Sequence, residues 1–267
     1  ERDAAPLARL ITMENGCPAT QSEALQVQSA VALIRSLVEQ ASEFAFTEER
    51  AGARGGKVRI DRLPIGIALG IVPFNVPIFL ACLKLATALL AGCPVVLKPS
   101  PESVDSMAFL SGYLARMDLP AGAVNLILGG RTLGDHLVRN DVFRKVSFTG
   151  SSASGLAVAQ LCAQRFARVT LELGGKSSAI LLDDVDFTAV KEQLWLAMLQ
   201  NNGQVCGAQS RVLIPKSRAP ELRLALREMF EETVVGDPRS PETWIGPVVT
   251  AAAAIRIRNT CKEATSQ

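Results

Sequence analysis

A cysteine on a polar connector is the first residue of this sequence whose surroundings suggest chemistry. Cys206 lies within residues 200–211, a glycine-bearing stretch between a helix-like apolar run and a strand-like one. A thiol presented in this way can act as a nucleophile in its thiolate form, although a small buried residue is the commoner interpretation of a lone cysteine. Cysteine–histidine hydrolysis is disfavoured, because it needs a histidine base and the one histidine, His136, falls inside a predicted helix.

Two further polar residues have chemistry that a cysteine nucleophile could use. Asn75 stands between Pro73 and Pro77 in a stiff turn, where its amide could donate a hydrogen bond to a developing oxyanion. The same asparagine also suits the geometry of the turn itself. Glu172 is a carboxylate inside an apolar strand-like run, and a half-buried carboxylate there suits a general base. A strand residue that faces solvent is the other interpretation of Glu172.

Two segments could bind an anionic or hydroxyl-rich ligand. Residues 148–155 join a strand to a helix, where Gly150 allows close approach of the backbone and Ser151 offers a hydroxyl. The free N–H groups of a helix start favour a pyrophosphate, whereas a serine N-cap explains the same residues without a ligand. Lys98 ends a strand just before Ser100, at the edge where parallel sheets bind ligands. The usual GxGxxG dinucleotide fingerprint is absent from the sequence.

The elements that must position these residues alternate along the chain. From residue 66 onward, short apolar strands alternate with helices, which predicts an α/β fold with a mostly parallel, Rossmann-like sheet covered by helices on both faces. Before it, the patterns predict a helix over 1–16, a long amphipathic helix over 22–46 and an edge strand over 57–61. Gly174 and Gly175 mark a predicted boundary, because the second alternating unit has too few strands for a complete sheet.

Composition excludes several classes of protein. The chain of 267 residues is 48% hydrophobic and 20% charged, with a net charge of +2, so we expect a globular protein and no nucleic-acid partner. Its six cysteines lack CxxC spacing, which argues against a zinc site and favours a reducing, cytoplasmic location. Residues 63–83 are uncharged, but three prolines interrupt them, so we expect no membrane span.

In their joint order, the motifs resemble those of the aldehyde dehydrogenase superfamily. The matching segments are 70–77, 95–100, 119–125, 148–151, 171–176 and 202–206. The sequence departs from the family pattern at Phe74, where Trp is usual, and at Pro101, where NAD-preferring members often have Glu. It also lacks a Glu-x-Phe-Gly-Pro segment, and family members are nearly twice as long.

The resemblance implies an enzyme that oxidises an aldehyde to a carboxylic acid with NAD or NADP, through a thiohemiacetal and a thioester on Cys206. Glu172 would be the general base and Asn75 the oxyanion donor. The resemblance further implies a set of cofactor-binding residues, namely Val72, Pro73, Phe74, Lys98, Ser100, Gly150 and Ser151.

The resemblance also implies a domain plan. Residues 1–173 would form the NAD(P)-binding domain, with an oligomerisation arm at 48–64, and residues 174–267 would form part of a catalytic domain. The full-length protein would be a homo-oligomer. Two alternatives stay open: a truncated, catalytically incomplete chain that keeps part of the nucleotide-binding layer, and a cofactor-free thiol esterase that uses the same Cys206 and Glu172.

Overall fold

The structure, a computed structural model, describes residues 2–266. The chain folds into two compact units that alternate along the sequence. The first unit combines the residues up to Val27, the short segment Phe74–Val76 and the residues from Leu173 onward. The second unit consists of Gln28–Pro73 and Pro77–Glu172.

The chain opens with the predicted amphipathic helix. Helix α1 spans Ala4–Asn15 and buries Leu7 and Ile11. It ends where Gly16 takes a left-handed φ of 80°, a conformation that favours glycine at a helix C-terminus. The predicted helix begins at Glu1, which lies outside the described residues.

The single helix predicted over 22–46 is divided in the structure. Helix α2 (Ala19–Ser22) is followed by a π-helical turn at Glu23–Gln28 and then by α3 (Ser29–Glu43). The antiparallel strands β1 (Thr47–Ala51) and β2 (Lys57–Asp61) form a separate two-stranded ribbon. Only β2 was predicted, because the charged residues of β1 lack the apolar alternation that marks a strand.

The second unit holds a five-stranded parallel sheet in the order β5-β4-β3-β6-β7. Its strands are β3 (Ile67–Val72), β4 (Val95–Pro99), β5 (Val124–Leu126), β6 (Phe143–Thr149) and β7 (Arg168–Glu172). The helices of this unit that alternate with them are α4 (Pro77–Leu90), α5 (Val104–Leu114), α6 (Arg131–Arg139) and α7 (Ser152–Ala163). The predicted α/β class with a parallel sheet flanked by helices is therefore confirmed.

The central strands β3 and β4 are buried because most of their side chains are apolar. Leu69, Leu97 and Val146 lie on neighbouring strands and are each fully buried. Helix α4 packs against the sheet and begins at Pro77, where a missing N–H group costs little. Strand β7 is different: it lies at the edge of the sheet and is exposed over most of its length.

The first unit contains a much smaller sheet. Strands β8 (Ser178–Ile180) and β9 (Arg211–Leu213) pair in parallel. The helices of this unit after Leu173 are α8 (Phe187–Leu199), α9 (Ala219–Glu232) and α10 (Ala251–Thr265). Ala179, Phe187, Leu194 and Leu222 form its buried apolar cluster.

The division into units differs from the predicted division at 173/174. The break at Glu172/Leu173 is close to the predicted boundary, but the residues up to Val27 group with the C-terminal part of the chain. Hydrogen bonds across about 180 residues, such as the one from the Asn201 N–H to Gln21 Oε1, hold them there. Local periodicity carries no information on such long-range contacts. The functional names of the two domains stay predictions.

Membrane-spanning helices and metal-binding clusters are both absent from residues 2–266. Within this range no helix combines the length and the apolar character that a membrane span requires. The same residues hold no group of three or more His, Cys, Asp or Glu side chains arranged to bind a metal ion.

Candidate active site

Cys206 is exposed on the connector that follows α8. Four other thiols, those of Cys17, Cys82, Cys93 and Cys162, are buried. Burial raises the pKa of the Cys17 thiol to about 12 and that of Cys82 to about 11, so neither forms a thiolate near neutral pH. The interpretation of Cys206 as a small core residue is therefore wrong, and its thiol is open to a reactant.

The connector reaches Cys206 through a left-handed turn. Asn201 has a φ of 54° and Asn202 a φ of 60°, and Gly203 continues the turn with a φ of 72°. Glycine and asparagine tolerate this conformation better than other residues. Two left-handed asparagines in a row still require support from the surroundings.

Hydrogen bonds to distant parts of the first unit supply that support. The Asn202 amide donates to the carbonyl oxygens of Gly16 and Pro247 at 2.8 and 2.9 Å, and its Oδ1 accepts from the Gly246 N–H at 2.7 Å. Gln21 Oε1 accepts from the Asn201 N–H at 3.0 Å. The turn is thus fixed before any ligand binds.

The structure places Asn75 beside this connector. Its side-chain Nδ2 donates to the backbone oxygen of Gln204 at 2.8 Å, two residues before Cys206. The Asn201 amide donates in the opposite direction, to the backbone oxygen of Asn75 at 2.9 Å. The predicted oxyanion donor and the segment carrying the predicted nucleophile therefore share one hydrogen-bond network in the first unit.

Close packing of backbones adds a second constraint on the thiol. A Cβ atom at Gly175 would lie 2.8 Å from the backbone oxygen of Cys206, so a side chain at this position would displace the connector. From the sequence, Gly174 and Gly175 were predicted to mark a boundary, and both lie in the family-like segment 171–176. The structure shows that Gly175 also leaves room for the segment that carries Cys206.

A set of buried or half-buried carboxamides was missed from the sequence. Its members are Asn15, Gln21, Gln26, Asn201, Asn202 and Gln204, and each donates or accepts at least one hydrogen bond within the first unit. The available signal was the presence of amide side chains in two places, the predicted N-terminal helices and the polar connector at 200–211. Their partners lie far away in the sequence, so the pattern alone could not assign them.

In the second unit, four strands bring the predicted cofactor residues to one edge of the sheet. Val72 pairs with Pro99, and Ile71 pairs with Lys98 on one side and Phe148 on the other. Thr149 pairs in turn with Glu172. The carboxyl ends of β3, β4, β6 and β7 therefore lie side by side, where parallel sheets bind their ligands.

Lys98 is a buried cation at this edge, with a relative exposure of 5%. Its Nζ donates to the backbone oxygen of Pro99 at 2.7 Å. Burial lowers the pKa of Lys98, and the nearby carboxylate of Glu102 opposes this effect. An ammonium has three hydrogens to donate, so this group can also bind the hydroxyl or phosphate oxygens of a ligand.

The carboxyl end of β6, on the other side of β3, carries an unpaired hydroxyl. Thr149 Oγ1 is buried and has no hydrogen-bond partner among the described residues. Buried polar atoms are normally paired, so an unpaired one at a ligand-binding edge fits a bound polar group. Ser100, on the loop after β4, donates to the Glu102 carboxylate instead.

Gly150 and Ser151 lie where β6 passes into α7. A Cβ atom at Gly150 would lie 2.7 Å from the Phe148 ring, so the close approach predicted for this glycine is made by an aromatic side chain. Ser151 is the N-cap of α7 and accepts from the Ser154 N–H at 3.3 Å. The N-cap interpretation of Ser151 is correct, and its hydroxyl is already engaged.

Three predicted cofactor residues form the end of β3 and the turn after it. Val72 is only 1% exposed, so its backbone at the strand end is the part that could reach a ligand. Pro73 follows at the end of the second unit's first segment, and Phe74 opens the short segment that belongs to the first unit. The Phe74 backbone oxygen accepts from Asn15 Nδ2 at 3.2 Å.

The half-buried environment predicted for Glu172 is not found. Glu172 is exposed at the end of β7, because this strand lies at the edge of the sheet with a neighbour on one side only. The apolar residues around Glu172 in the sequence had suggested a covered position. The interpretation of Glu172 as a solvent-facing residue is therefore correct for its burial, and its catalytic role stays a prediction.

A buried lysine not singled out from the sequence lies across β3. Lys84 on α4 is 6% exposed, and its Nζ donates to Ser147 Oγ at 2.9 Å. A Cβ atom at Gly70 would lie 3.3 Å from its Cδ atom, so the glycine makes room for the lysine stem. Burial lowers the pKa of Lys84 from 10.5 to about 8, while Glu172 raises it in part and Lys145 lowers it further.

Comparison with known proteins supports one family. The aldehyde dehydrogenase family model matches residues 1–267. Geranial dehydrogenase of Castellaniella defragrans is 37% identical over 252 residues, which cover 94% of this chain and 53% of that protein. The chain spans about half the length of the curated relatives it matches.

Solved structures show the same similarity. An aldehyde dehydrogenase of Mycobacterium tuberculosis complexed with NAD+ is 34% identical, with a TM-score of 0.95 over 99% of this chain and 55% of that one. Betaine aldehyde dehydrogenase of Staphylococcus aureus in complex with NAD+ is 28% identical, with a TM-score of 0.93 over 99% of this chain and 52% of that one. The chain therefore belongs to the aldehyde dehydrogenase family.

Proposed function

We propose that this chain provides the cofactor-binding layer and the nucleophile of an NAD(P)-dependent enzyme that oxidises an aldehyde to a carboxylic acid. The observation that carries the proposal is the network joining Asn75 to the connector of the exposed Cys206. A nucleophile beside a fixed amide donor is the arrangement that attack on a carbonyl requires.

In the first step, the Cys206 thiolate adds to the aldehyde carbon and forms a thiohemiacetal. Negative charge develops on the former carbonyl oxygen. The Asn75 amide has two N–H groups, and one of them donates to Gln204. The other donates to the oxyanion, together with the Cys206 backbone N–H. A donor of this kind contributes roughly 3 kcal/mol to transition-state stabilisation.

The second unit would hold the dinucleotide. Lys98 and the Thr149 hydroxyl fit its hydroxyl or phosphate oxygens, because one is a buried cation with spare hydrogens and the other a buried oxygen with no described partner. Gly150 and the free N–H groups at the start of α7 would hold the pyrophosphate, and Val72, Pro73 and Phe74 would also contact the cofactor. When bound, the nicotinamide accepts the hydride that leaves the thiohemiacetal carbon.

Glu172 is the proposed base for the final step. Loss of hydride leaves a thioester on Cys206, and a water molecule activated by the Glu172 carboxylate attacks its carbonyl carbon. The carbon–sulfur bond breaks, the thiolate of Cys206 is restored, and the carboxylic acid leaves. The aldehyde is oxidised by two electrons and the dinucleotide is reduced by two.

Replacement of the thiol tests the proposal. We expect Cys206→Ala to abolish aldehyde-dependent formation of reduced NAD or NADP, followed by absorbance of the reduced nicotinamide. Cys261→Ala, at the other exposed thiol, is the matched control and should keep full activity. Turnover retained in Cys206→Ala would sink the assignment of the nucleophile.

Two alternatives are separated by the same measurements. A catalytically incomplete chain would bind dinucleotide without turnover. Because the chain matches only about half the length of its relatives, this alternative is tested with the 267-residue chain itself. A cofactor-free thiol esterase would hydrolyse esters in buffer without dinucleotide. Turnover of an aldehyde with either NAD or NADP would exclude the catalytically incomplete chain. A strict dependence of that turnover on the cofactor would exclude the cofactor-free esterase.

We also infer that the β1–β2 ribbon, which covers most of the predicted arm at 48–64, joins copies of the full-length protein as an oligomerisation arm. It is a two-stranded ribbon on its own, and Val58 on β2 is 48% exposed. Light scattering of the full-length protein with Val58→Glu should show a smaller assembly than the wild type; an unchanged mass would count against the arm. The free thiols fit a reducing, cytoplasmic location.

A further inference from the structure

Three amide groups converge on one backbone oxygen. Asn15 Nδ2, Gln26 Nε2 and Asn201 Nδ2 each donate to the carbonyl oxygen of Asn75 at 2.9 Å. A backbone carbonyl has two lone pairs, so three donors are more than it needs to be satisfied. The donors come from the end of α1, the π-helical turn and the connector after α8, which pins the Asn75 backbone from three separate elements.

The side chain of Asn75 contacts the connector that carries Cys206. The Asn75 side chain donates to the Gln204 backbone oxygen at 2.8 Å, and its Oδ1 is buried without a hydrogen-bond partner among the described residues. An amide held by this one hydrogen bond keeps it only while the backbone of Asn75 stays in place. The position of the Asn75 carbonyl therefore sets the direction of the amide.

A contribution to folding stability does not explain why Gln26 donates to the Asn75 oxygen. It is completely buried, and its Oε1 has no hydrogen-bond partner among residues 2–266. Without Gln26, the Asn75 oxygen would still accept from Asn15 and Asn201 and would stay satisfied. The Gln26 side chain also contacts the Cys17 thiol, but that thiol donates to the Pro18 carbonyl oxygen as well. A buried apolar side chain of the same volume would remove an unpaired oxygen and leave both neighbours with a partner, so folding gains little from this glutamine.

The backbone that carries Gln26 has an unusual, π-helical conformation. Gln26 lies in the π-helical turn Glu23–Gln28, between α2 and α3. Single π-turns are rare, and many of them occur at functional sites. The turn here introduces the amide that contacts Asn75.

We propose that Gln26 is a positioning residue that holds the Asn75 amide in the orientation needed to stabilise an oxyanion at Cys206. This inference rests on the proposed function, because it takes Asn75 as the oxyanion donor and Cys206 as the nucleophile. Gln26 touches neither the substrate nor the thiol in this role. It acts through the backbone of Asn75.

Two reactions of Cys206 separate this role from a structural one. Acylation by p-nitrophenyl acetate proceeds by thiolate attack on a carbonyl carbon, through an oxyanion, with p-nitrophenolate leaving and a thioester forming. Alkylation by iodoacetamide displaces iodide at a saturated carbon and forms no oxyanion. A fault in the oxyanion donor slows the first reaction only, whereas a distorted connector or a loosened fold changes both.

The test uses the 267-residue chain with Gln26→Met. We expect the acylation rate of Cys206 to fall about tenfold, since small displacements of a preorganised donor have effects of this order. The alkylation rate and the melting temperature should stay near those of the wild type. Gln40→Met is the matched control, because Gln40 is an exposed glutamine on α3, and both rates should be unchanged. If Gln26→Met fails to fold, Gln26→Asn withdraws the same donor while keeping an amide.

Asn75→Ala, measured in parallel, distinguishes a failure of the role of Gln26 from a failure of the proposed function. Slow acylation in Asn75→Ala with a normal rate in Gln26→Met would overturn the role of Gln26 and leave the proposed function standing. A normal acylation rate in Asn75→Ala would overturn both. Equal losses of acylation and alkylation in Gln26→Met would mean a structural role and would also overturn the inference.

Discussion

Replacing the buried lysine of α4 should stabilise the protein in a way that depends on pH. Lys84 is nearly inaccessible to water, and the only hydrogen bond recorded for its ammonium among the described residues is to Ser147. Burial lowers its pKa from 10.5 to about 8, with Glu172 opposing the change. Folding therefore disfavours the protonated lysine, which is the dominant form at pH 7.

The sign follows from proton binding. Between pH 8 and 10.5, Lys84 binds its proton more weakly in the folded protein than in the unfolded chain, so the free energy of unfolding rises with pH through this window. At about 1.4 kcal/mol per pKa unit, the gap between 10.5 and about 8 amounts to about 3 kcal/mol of lost stability at pH 7. Less than about 1 kcal/mol of this loss should remain near pH 10.

Urea denaturation at a series of pH values from 7 to 10 measures this effect. Lys84→Met removes the charge and keeps the approximate length of the side chain. The free energy of unfolding of the variant minus that of the wild type should therefore fall by about 2–3 kcal/mol from pH 7 to pH 10. Any constant cost, such as the lost hydrogen bond to Ser147, cancels in that change. Lys216→Met, at an exposed lysine, is the control for removing one positive charge. A difference between Lys84→Met and the wild type that is constant with pH would refute the reasoning.

Two further predictions concern the stability of the first unit. Gly16→Ala should unfold at a much lower urea concentration than Gly203→Ala, because both glycines are left-handed but a Cβ atom at Gly16 would lie 2.0 Å from the Pro247 oxygen, whereas nothing lies within 4 Å at Gly203. Gly203→Ala should cost only about 1–2 kcal/mol, the strain of a left-handed alanine, and equal losses would contradict the clash. Thr233→Val should lower the free energy of unfolding by about 1–3 kcal/mol, because it leaves the buried Trp195 Nε1–H, now donating to Thr233 Oγ1 at 2.9 Å, without a partner. Thr233→Ser keeps the hydroxyl and should stay near the wild type; a similar loss in both variants would point to packing instead.

Elements with strong local signals were predictable from the sequence. Helix α8 has the predicted bounds, Phe187 to Leu199, because Asp186 caps its start by accepting from the Thr188 and Ala189 N–H groups. The strands of the parallel sheet were found from their short apolar runs, with ends displaced by at most two residues. Their carboxyl ends then placed Lys98, Gly150 and Glu172 on one edge of the sheet.

Features set by distant contacts were not predictable. The grouping of Gln21 with Asn201 depends on a hydrogen bond between residues far apart in sequence. The position of β7 at the edge of the sheet depends on the strand order, although the sequence had offered a solvent-facing Glu172 as one of two interpretations. The π-helical turn at Glu23–Gln28 was not predicted, because the pattern over 22–46 was interpreted with a single helical period.

The alternation of the two units also imposes an order on biosynthesis. Gln21 and Gly16 leave the ribosome 180 and 186 residues before their partners Asn201 and Asn202. At about 5–20 residues per second, this delay lasts roughly 10–40 s. The sheet of the second unit can form within that time, while the amides of the N-terminal segment remain hydrated. The arrival of the connector then gives these groups their partners, so the segment that bears Cys206 joins the residues up to Val27 to the later part of the first unit.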